Sequence, residues 1–162
     1  MEDILRLVPI LVVDDELDDD TPAGQAARAV VERLEAEGAP AVTARSREDA
    51  EHVVGATCTL SGVVIDWDVH HGGGAGRPGS DGPAASLIER LRHGWPALPI
   101  FVTADRSSVQ ALPPTLLAQV DGYVWKLEDT PDFIARRVLE ARRENLDPLL
   151  PSFFGALVRF TE

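Results

Sequence analysis

Four short apolar runs each stop at a polar residue, and this pattern constrains the fold more than any other feature of the chain. Ile10-Leu11-Val12-Val13 ends in Asp14-Asp15-Glu16, Gly62-Val63-Val64-Ile65 in Asp66, Pro99-Ile100-Phe101-Val102 in Thr103, and Tyr123-Val124-Trp125 in Lys126. Runs that are apolar at every position, instead of every second one, read as strands covered on both faces, the condition of a parallel sheet. The carboxyl ends of such strands share one rim. The four terminating residues are therefore expected to meet.

Helical signals fill the gaps between these runs. Thr21-Pro22 reads as an N-cap and a helix-starting proline, and Ala26, Ala27, Val30, Val31 and Leu34 recur at helical spacing up to Gly38, predicting a helix over 22–37. Ala41-Val42-Thr43-Ala44 fits a short strand. Ser46 with Asp49 fits a capping box that opens a helix carrying Ala50, Val53 and Val54, with Gly55 as its expected end. The third strand is expected over Gly62 to Trp67, a helix from Pro83 to Gly94, and the fourth strand over Pro99 to Thr103. A short or irregular helix is expected within 107–119, broken by Pro113-Pro114, then a fifth strand over Gly122 to Trp125 and a last helix from Thr130-Pro131. The predicted fold is α/β, a doubly wound five-stranded parallel sheet in the order 2-1-3-4-5. The domain is expected to span 1–145, with 146–162 as an apolar extension.

At 162 residues, with 44% apolar residues and mean hydropathy near zero, the chain suits one globular domain with a real core. A net charge of −12 argues against nucleic acid and anionic membranes as partners, since both would meet a repelling surface. No apolar run approaches the roughly 20 residues that cross a bilayer. A lone Cys58 leaves no intrachain disulfide and no cysteine-built zinc site, and with no signal-type segment near Met1 the expected compartment is the reducing cytoplasm.

Strand ends 1 and 3 would lie side by side, placing Asp14, Asp15 and Asp66 in one cleft. Two carboxylates about 6 Å apart repel by on the order of 3 kcal/mol at an effective dielectric near 20. A neutralising cation is needed. A hard divalent ion such as Mg²⁺ with oxygen ligands meets that need, as does the ammonium of Lys126 reaching across from the fifth strand. With Mg²⁺ bound, Asp66 is placed to attack a phosphoryl group while Lys126 and Thr103 stabilise its oxygens. The bland alternative treats these aspartates as solvated strand-end and N-cap residues. A small hydrolase on the same rim is a third possibility.

These residues resemble the receiver domains of two-component response regulators over about residues 8 to 142. Besides the four strand ends, Thr103-Ala104, Gly79-Ser80-Asp81-Gly82 and Tyr123 carry the resemblance. It implies Asp14 and Asp15 as Mg²⁺ ligands, Asp66 as phosphoacceptor, the backbone carbonyl of Asp68 as a further ligand, and Thr103 with Tyr123 as paired switch residues. The chain departs from that family in two places. Trp67-Asp68-Val69-His70-His71 and a glycine-rich insertion replace the usual Met-Pro, and Leu127 stands where a proline follows the lysine. These departures favour a retained site that no longer accepts phosphate over a working one.

A second resemblance is carried by Ile65-Asp66-Trp67-Asp68 and by the tail Leu149-Leu150-Pro151-Ser152-Phe153-Phe154-Gly155-Ala156-Leu157-Val158-Arg159-Phe160. Both are similar to the N-terminal wing domain and linker of bacterial ornithine/lysine/arginine decarboxylases. This resemblance implies a receiver-like piece of a longer enzyme, acting in assembly or regulation, with pyridoxal phosphate only in a separate catalytic domain. That domain and further copies of the chain would be its partners. The single lysine, Lys126, sits at a receiver position and not in a cofactor context, so the chain itself is not expected to decarboxylate. The apolar stripe of the tail is an expected interface.

Other features read as ordinary. His70-His71 on a glycine-rich loop lack the fixed geometry of a metal pair, and the glycine run has no Gly-Lys-Ser/Thr step to make a phosphate loop. Asp18-Asp19-Asp20 reads as a solvated loop before a helix, and Trp67, Trp95 and Trp125 as packing residues.

Overall fold

The computed structural model describes residues 7–57, 59–69, 83–105 and 112–146. Cys58, the histidine pair, the glycine-rich stretch, Gly79 to Gly82 and the tail from 147 onward lie outside the described residues. The elements alternate as β1 (Ile10–Val13), α1 (Pro22–Ala36), β2 (Ala41–Ala44), α2 (Arg47–Ala56), β3 (Gly62–Asp66), α3 (Pro83–Gly94), β4 (Ile100–Ala104), α4 (Pro114–Leu117), β5 (Gly122–Trp125) and α5 (Pro131–Leu146). All strand pairings are parallel and the order is β2-β1-β3-β4-β5, as the sequence predicts.

Alternation along the strands divides the core into two layers. Leu11, Val13, Val63, Ile65, Ile100 and Val102 pack on one side with Leu87, Ile88 and Leu91 of α3. Ile10, Val12, Val64, Phe101 and Val124 face the other side, against Val30 and Leu34 of α1 and Ile134 and Val138 of α5. Successive side chains of a strand leave opposite faces, so the central strands must be apolar throughout. The edge strands β2 and β5 are only partly covered, with Ala44 and Val124 as their buried positions.

Local chemistry sets the helix ends. Thr21 accepts a hydrogen bond from the Gly24 amide, and Ser46 accepts one from the Asp49 amide, so both predicted N-caps are made. The Asp49 carboxylate reaches back to the amide of Arg45 instead of Ser46, closing the capping box one residue early. α1 stops at Gly38, whose φ of 77° is the left-handed conformation that glycine adopts without a Cβ clash. The Gly38 amide donates to Glu35 and the Ala39 amide to Leu34, the paired bonds of a Schellman cap.

Four boundaries differ from the sequence reading. Gly55 does not end α2, which continues to Ala56, because Gly55 keeps an ordinary negative φ and the chain becomes extended only at Thr57. β3 stops at Asp66 and Trp67 enters a turn. β4 begins at Ile100, not Pro99, and reaches Ala104. Pro99 has no N–H for the ladder, yet its carbonyl still accepts from the Val63 amide at 2.8 Å. The short helix expected within 107–119 is the single turn Pro114–Leu117, which Pro113-Pro114 opens instead of breaking, and 106–111 lie outside the described residues.

Candidate functional site

Register and parity build the site. Val13 pairs with Ile65 and Asp66 pairs with Thr103, so Asp14, Asp66 and Thr103 stand level across three adjacent strands. Val12, Val64, Phe101 and Val124 all face α1 and α5, and the residue two positions beyond each is Asp14, Asp66, Thr103 or Lys126. A period of two therefore turns all four side chains to the same face at the same rim. Each is buried, with exposures of 3% for Asp14 and Asp66, 6% for Thr103 and 8% for Lys126.

The Lys126 ammonium is the centre of this cluster. Its Nζ lies 2.9 Å from Asp14 Oδ2, 2.8 Å from Glu16 Oε2 and 3.1 Å from Asp66 Oδ2. An ammonium has three protons to donate, and three carboxylates receive them. The backbone reinforces the set, because the Glu16 amide donates to Asp14 Oδ1 at 2.9 Å. Carboxylate oxygens of Asp14, Asp15 and Asp66 also fall within 4.8 Å of one another.

Charge is out of balance here. Burial pushes the Asp66 carboxyl up to about 7; the charge and hydrogen bond of Lys126 lower it without overcoming that effect, and the neighbouring Asp14 charge adds to the rise. Asp14 is raised too, first by burial, against the opposing pull of Lys126. Burial works against the Lys126 charge, but attraction to Asp66 and the bonds to Asp14 and Glu16 outweigh it and hold the ammonium above its ordinary value. Lys126 is thus firmly protonated at neutral pH. Behind the cluster, Val12, Val64, Ala27, Val30 and Ile134 leave a cavity of only about 10 Å³, at the lower limit for one water molecule. Any ligand of this rim must come from outside.

The structure brings together Asp14, Asp15, Asp66 and Lys126 and sets Thr103 in the same row. Asp68 is exposed and its carboxylate is not part of the three-aspartate group, although its charge contributes to raising Asp66. Tyr123 is 46% exposed and packs edge-to-face with Trp125, the ring centroids 5.8 Å apart. Its neighbour Val124 faces α1 and α5, so Tyr123 leaves the opposite face of β5 from the one that bears Lys126. Glu16 is the site residue that the sequence reading did not assign. Its signal was its place as third carboxylate in Asp14-Asp15-Glu16.

The donor set suits a hard cation. Three carboxylates with oxygens this close match the oxygen-only ligation of Mg²⁺ or Ca²⁺, and a bound ion would supply charge neutralisation at the rim. Asp14, Asp15 and Asp66 would hold it. Pyridoxal phosphate does not fit. A Schiff base needs an amine that can lose its proton, whereas the chain's single lysine is held protonated by three carboxylates.

A five-stranded doubly wound sheet in the order 2-1-3-4-5, with Asp, Asp, Thr and Lys on one rim, defines a receiver-like domain of the flavodoxin type. A response regulator receiver domain from Clostridium thermocellum superposes with a TM-score of 0.64 at 16% identity, over 88% of this chain and 98% of that one. The chain belongs to the family described as Orn/Lys/Arg decarboxylase, N-terminal domain, which it matches over residues 22–144. Lysine decarboxylase LdcA of Pseudomonas aeruginosa is 31% identical over 159 residues, covering 94% of this chain and 20% of that protein. The solved structure of lysine decarboxylase A from Pseudomonas aeruginosa matches with a TM-score of 0.71 at 27% identity, over 95% of this chain and 20% of that one. The chain spans about a fifth of the length of these relatives. Among the described residues no helix is long and apolar enough to cross a membrane.

Proposed function

We propose that this chain works as the receiver-like wing of an ornithine/lysine/arginine decarboxylase in the cytoplasm, serving assembly or regulation and performing no decarboxylation itself. Its partners in this reading are a pyridoxal-phosphate catalytic portion, toward which residues 146–162 lead, and further copies of the chain. Nucleic acid and membranes are not partners. The observation that carries the reading is the match to the decarboxylase N-terminal family over residues 22–144; in keeping with it, an internal cation, Lys126, already neutralises Asp14, Glu16 and Asp66, two of which a phosphoacceptor site would use. The rim then acts as a structural ion cluster at the meeting of β1, β3 and β5. The test mixes this chain with a family decarboxylase from which the N-terminal domain has been deleted and follows native mass. A stoichiometric complex is expected. A chain that stays apart from the truncated enzyme at high micromolar concentration would overturn the wing assignment.

A second reading has its own support. The convergence of Asp14, Asp15 and Asp66 oxygens suits Mg²⁺, and Asp66 would then be a phosphoacceptor assisted by Thr103 and Lys126, with the Asp68 carbonyl as a further ligand. Mg²⁺ with beryllium fluoride separates the two, read by the fluorescence of Trp67, the residue next to Asp66. A saturable response that disappears in Asp66→Asn establishes the phosphoacceptor reading. No response leaves the rim without a switch function.

A further inference from the structure

The carboxylate that completes the Lys126 cage comes from a turn, and that turn is held from beneath by α1. The Asp19 amide donates to the Glu16 carbonyl at 2.8 Å, closing the turn over residues 16–19. Leu17, at its centre, is buried. Gly24 on the first turn of α1 lies so close that a Cβ there would fall 2.3 Å from both the Glu16 and the Asp19 carbonyl oxygens. One helical turn further along the same face, Arg28 places Nη1 2.7 Å from the Leu17 carbonyl and 2.9 Å from the Asp19 carbonyl. Three carbonyls of one turn thus converge on the Gly24–Arg28 face of α1. Carbonyl oxygens crowded in this way repel, and a guanidinium with fixed forked donors is suited to hold them.

We propose that Arg28 is the positioning residue of the rim: it fixes the 16–19 turn so that the Glu16 carboxylate reaches Lys126, and it does so without touching the cluster itself. Gly24 supplies the clearance, and Arg45, paired with Asp18, ties the same turn to the end of β2. The inference goes beyond the proposed function and holds whether the rim is a structural cluster or a phosphoacceptor. Without Arg28 the Leu17 and Asp19 carbonyls lose their cationic donor, the turn relaxes, and the Glu16–Lys126 contact at 2.8 Å opens first, because Glu16 is the member of the cage carried on the turn and not at a strand end.

The single lysine makes this directly readable, since the side-chain ammonium of Lys126 is one resonance in a ¹⁵N spectrum. Arg28→Met is expected to shift or broaden that resonance as Glu16→Gln does, and the double variant to add nothing beyond Glu16→Gln alone. Gly24→Ala should move it in the same direction. Arg33→Met, on the same helix but paired with Glu37 and Asp132, should leave it in place. If Arg28→Met does not fold, Arg28→Gln, which keeps amide donors on a shorter arm, carries the same comparison. An Arg28 variant that folds and keeps the wild-type ammonium signal while Glu16→Gln moves it overturns the proposal.

Discussion

The carboxylate of Asp66 lies 3.1 Å from the ammonium of Lys126, yet its pKa is raised to about 7 and not lowered. One cation is shared among Asp14, Glu16 and Asp66, and burial weighs more on the deepest carboxylates than a shared partner can return. The sign of the pH dependence follows. A carboxyl whose ordinary value is 3.8 and whose folded value is about 7 binds its proton more tightly in the fold, so its contribution is full below pH 4 and falls as pH rises to 7. Asp14 is shifted in the same direction. Asp66→Asn, a neutral isostere, is expected to be more stable than the wild type at pH 8, by a margin about 1–3 kcal/mol larger than at pH 5, in metal-free buffer, the two converging only near pH 4. Urea unfolding at the two pH values checks this. A variant less stable than wild type at pH 8 would mean that the Asp66–Lys126 attraction prevails.

Lys126→Met should behave in the opposite way. It leaves Asp14, Glu16 and Asp66 facing one another with no counter-charge, and breaking a buried ionic cluster from one side costs about 3–5 kcal/mol. The loss is expected to be largest at pH 8 and smaller at pH 5, where Asp66 takes up a proton; Asp14 is shifted in the same direction. Equal losses at both pH values would show that packing of the lysine stem, and not charge, sets the effect.

Much of this rim is readable from the chain alone, because it depends on where apolar runs stop. Alternation carries Val12, Val64, Phe101 and Val124 to one face, and a step of two brings Asp14, Asp66, Thr103 and Lys126 to that same face. The caps Thr21 and Ser46 are equally legible, since each side chain bonds an amide three residues away. Gly55 misleads, because a glycine ends a helix only when its φ turns positive, as at Gly38, and residue type does not decide which glycine does so. Glu16 and Arg28 are harder still. The reach of Glu16 to Lys126 depends on a turn whose shape comes from backbone carbonyls, and arginine bonds to carbonyls leave no pattern of residue types.

Divalent cations give a third expectation. If Asp14, Asp15 and Asp66 bind Mg²⁺, the fold is stabilised by about 2.7 kcal/mol at a hundred times the dissociation constant. Asp15 is the discriminating residue, being the partly buried member of a trio whose other two carboxylates, Asp14 and Asp66, are buried against the Lys126 ammonium. Asp15→Asn is expected to remove most of the Mg²⁺-dependent rise in melting temperature. Lys126→Met, which loses the internal cation, should show a larger rise than wild type. A melting temperature insensitive to Mg²⁺ in both wild type and Lys126→Met would end the cation reading.

A last expectation concerns the opposite rim, where Arg92 joins four segments. Its guanidinium donates to the Gln119 carbonyl at 2.6 and 2.9 Å, to Pro96 at 2.6 Å and to Leu98 at 2.9 Å, and pairs with Asp121 at 3.1 Å. Asp121 in turn accepts from the Ile100 amide at 2.9 Å and from the Asn145 side chain at 2.9 Å. One arginine thus links the end of α3, the entries to β4 and β5, and the end of α5. Carbonyls and a carboxylate left without their donor are costly, so Arg92→Met should lower stability by about 2–4 kcal/mol. Asn145→Ala removes one exposed bond of this network and should cost about 0.5–1.5 kcal/mol. Chemical unfolding of the two variants gives the order, and hydrogen exchange at the Ile100 amide gives the cause: protection there should fall in Arg92→Met, because Asp121 loses the cation that orients it. Unchanged protection with reduced global stability would place the effect in α3 alone.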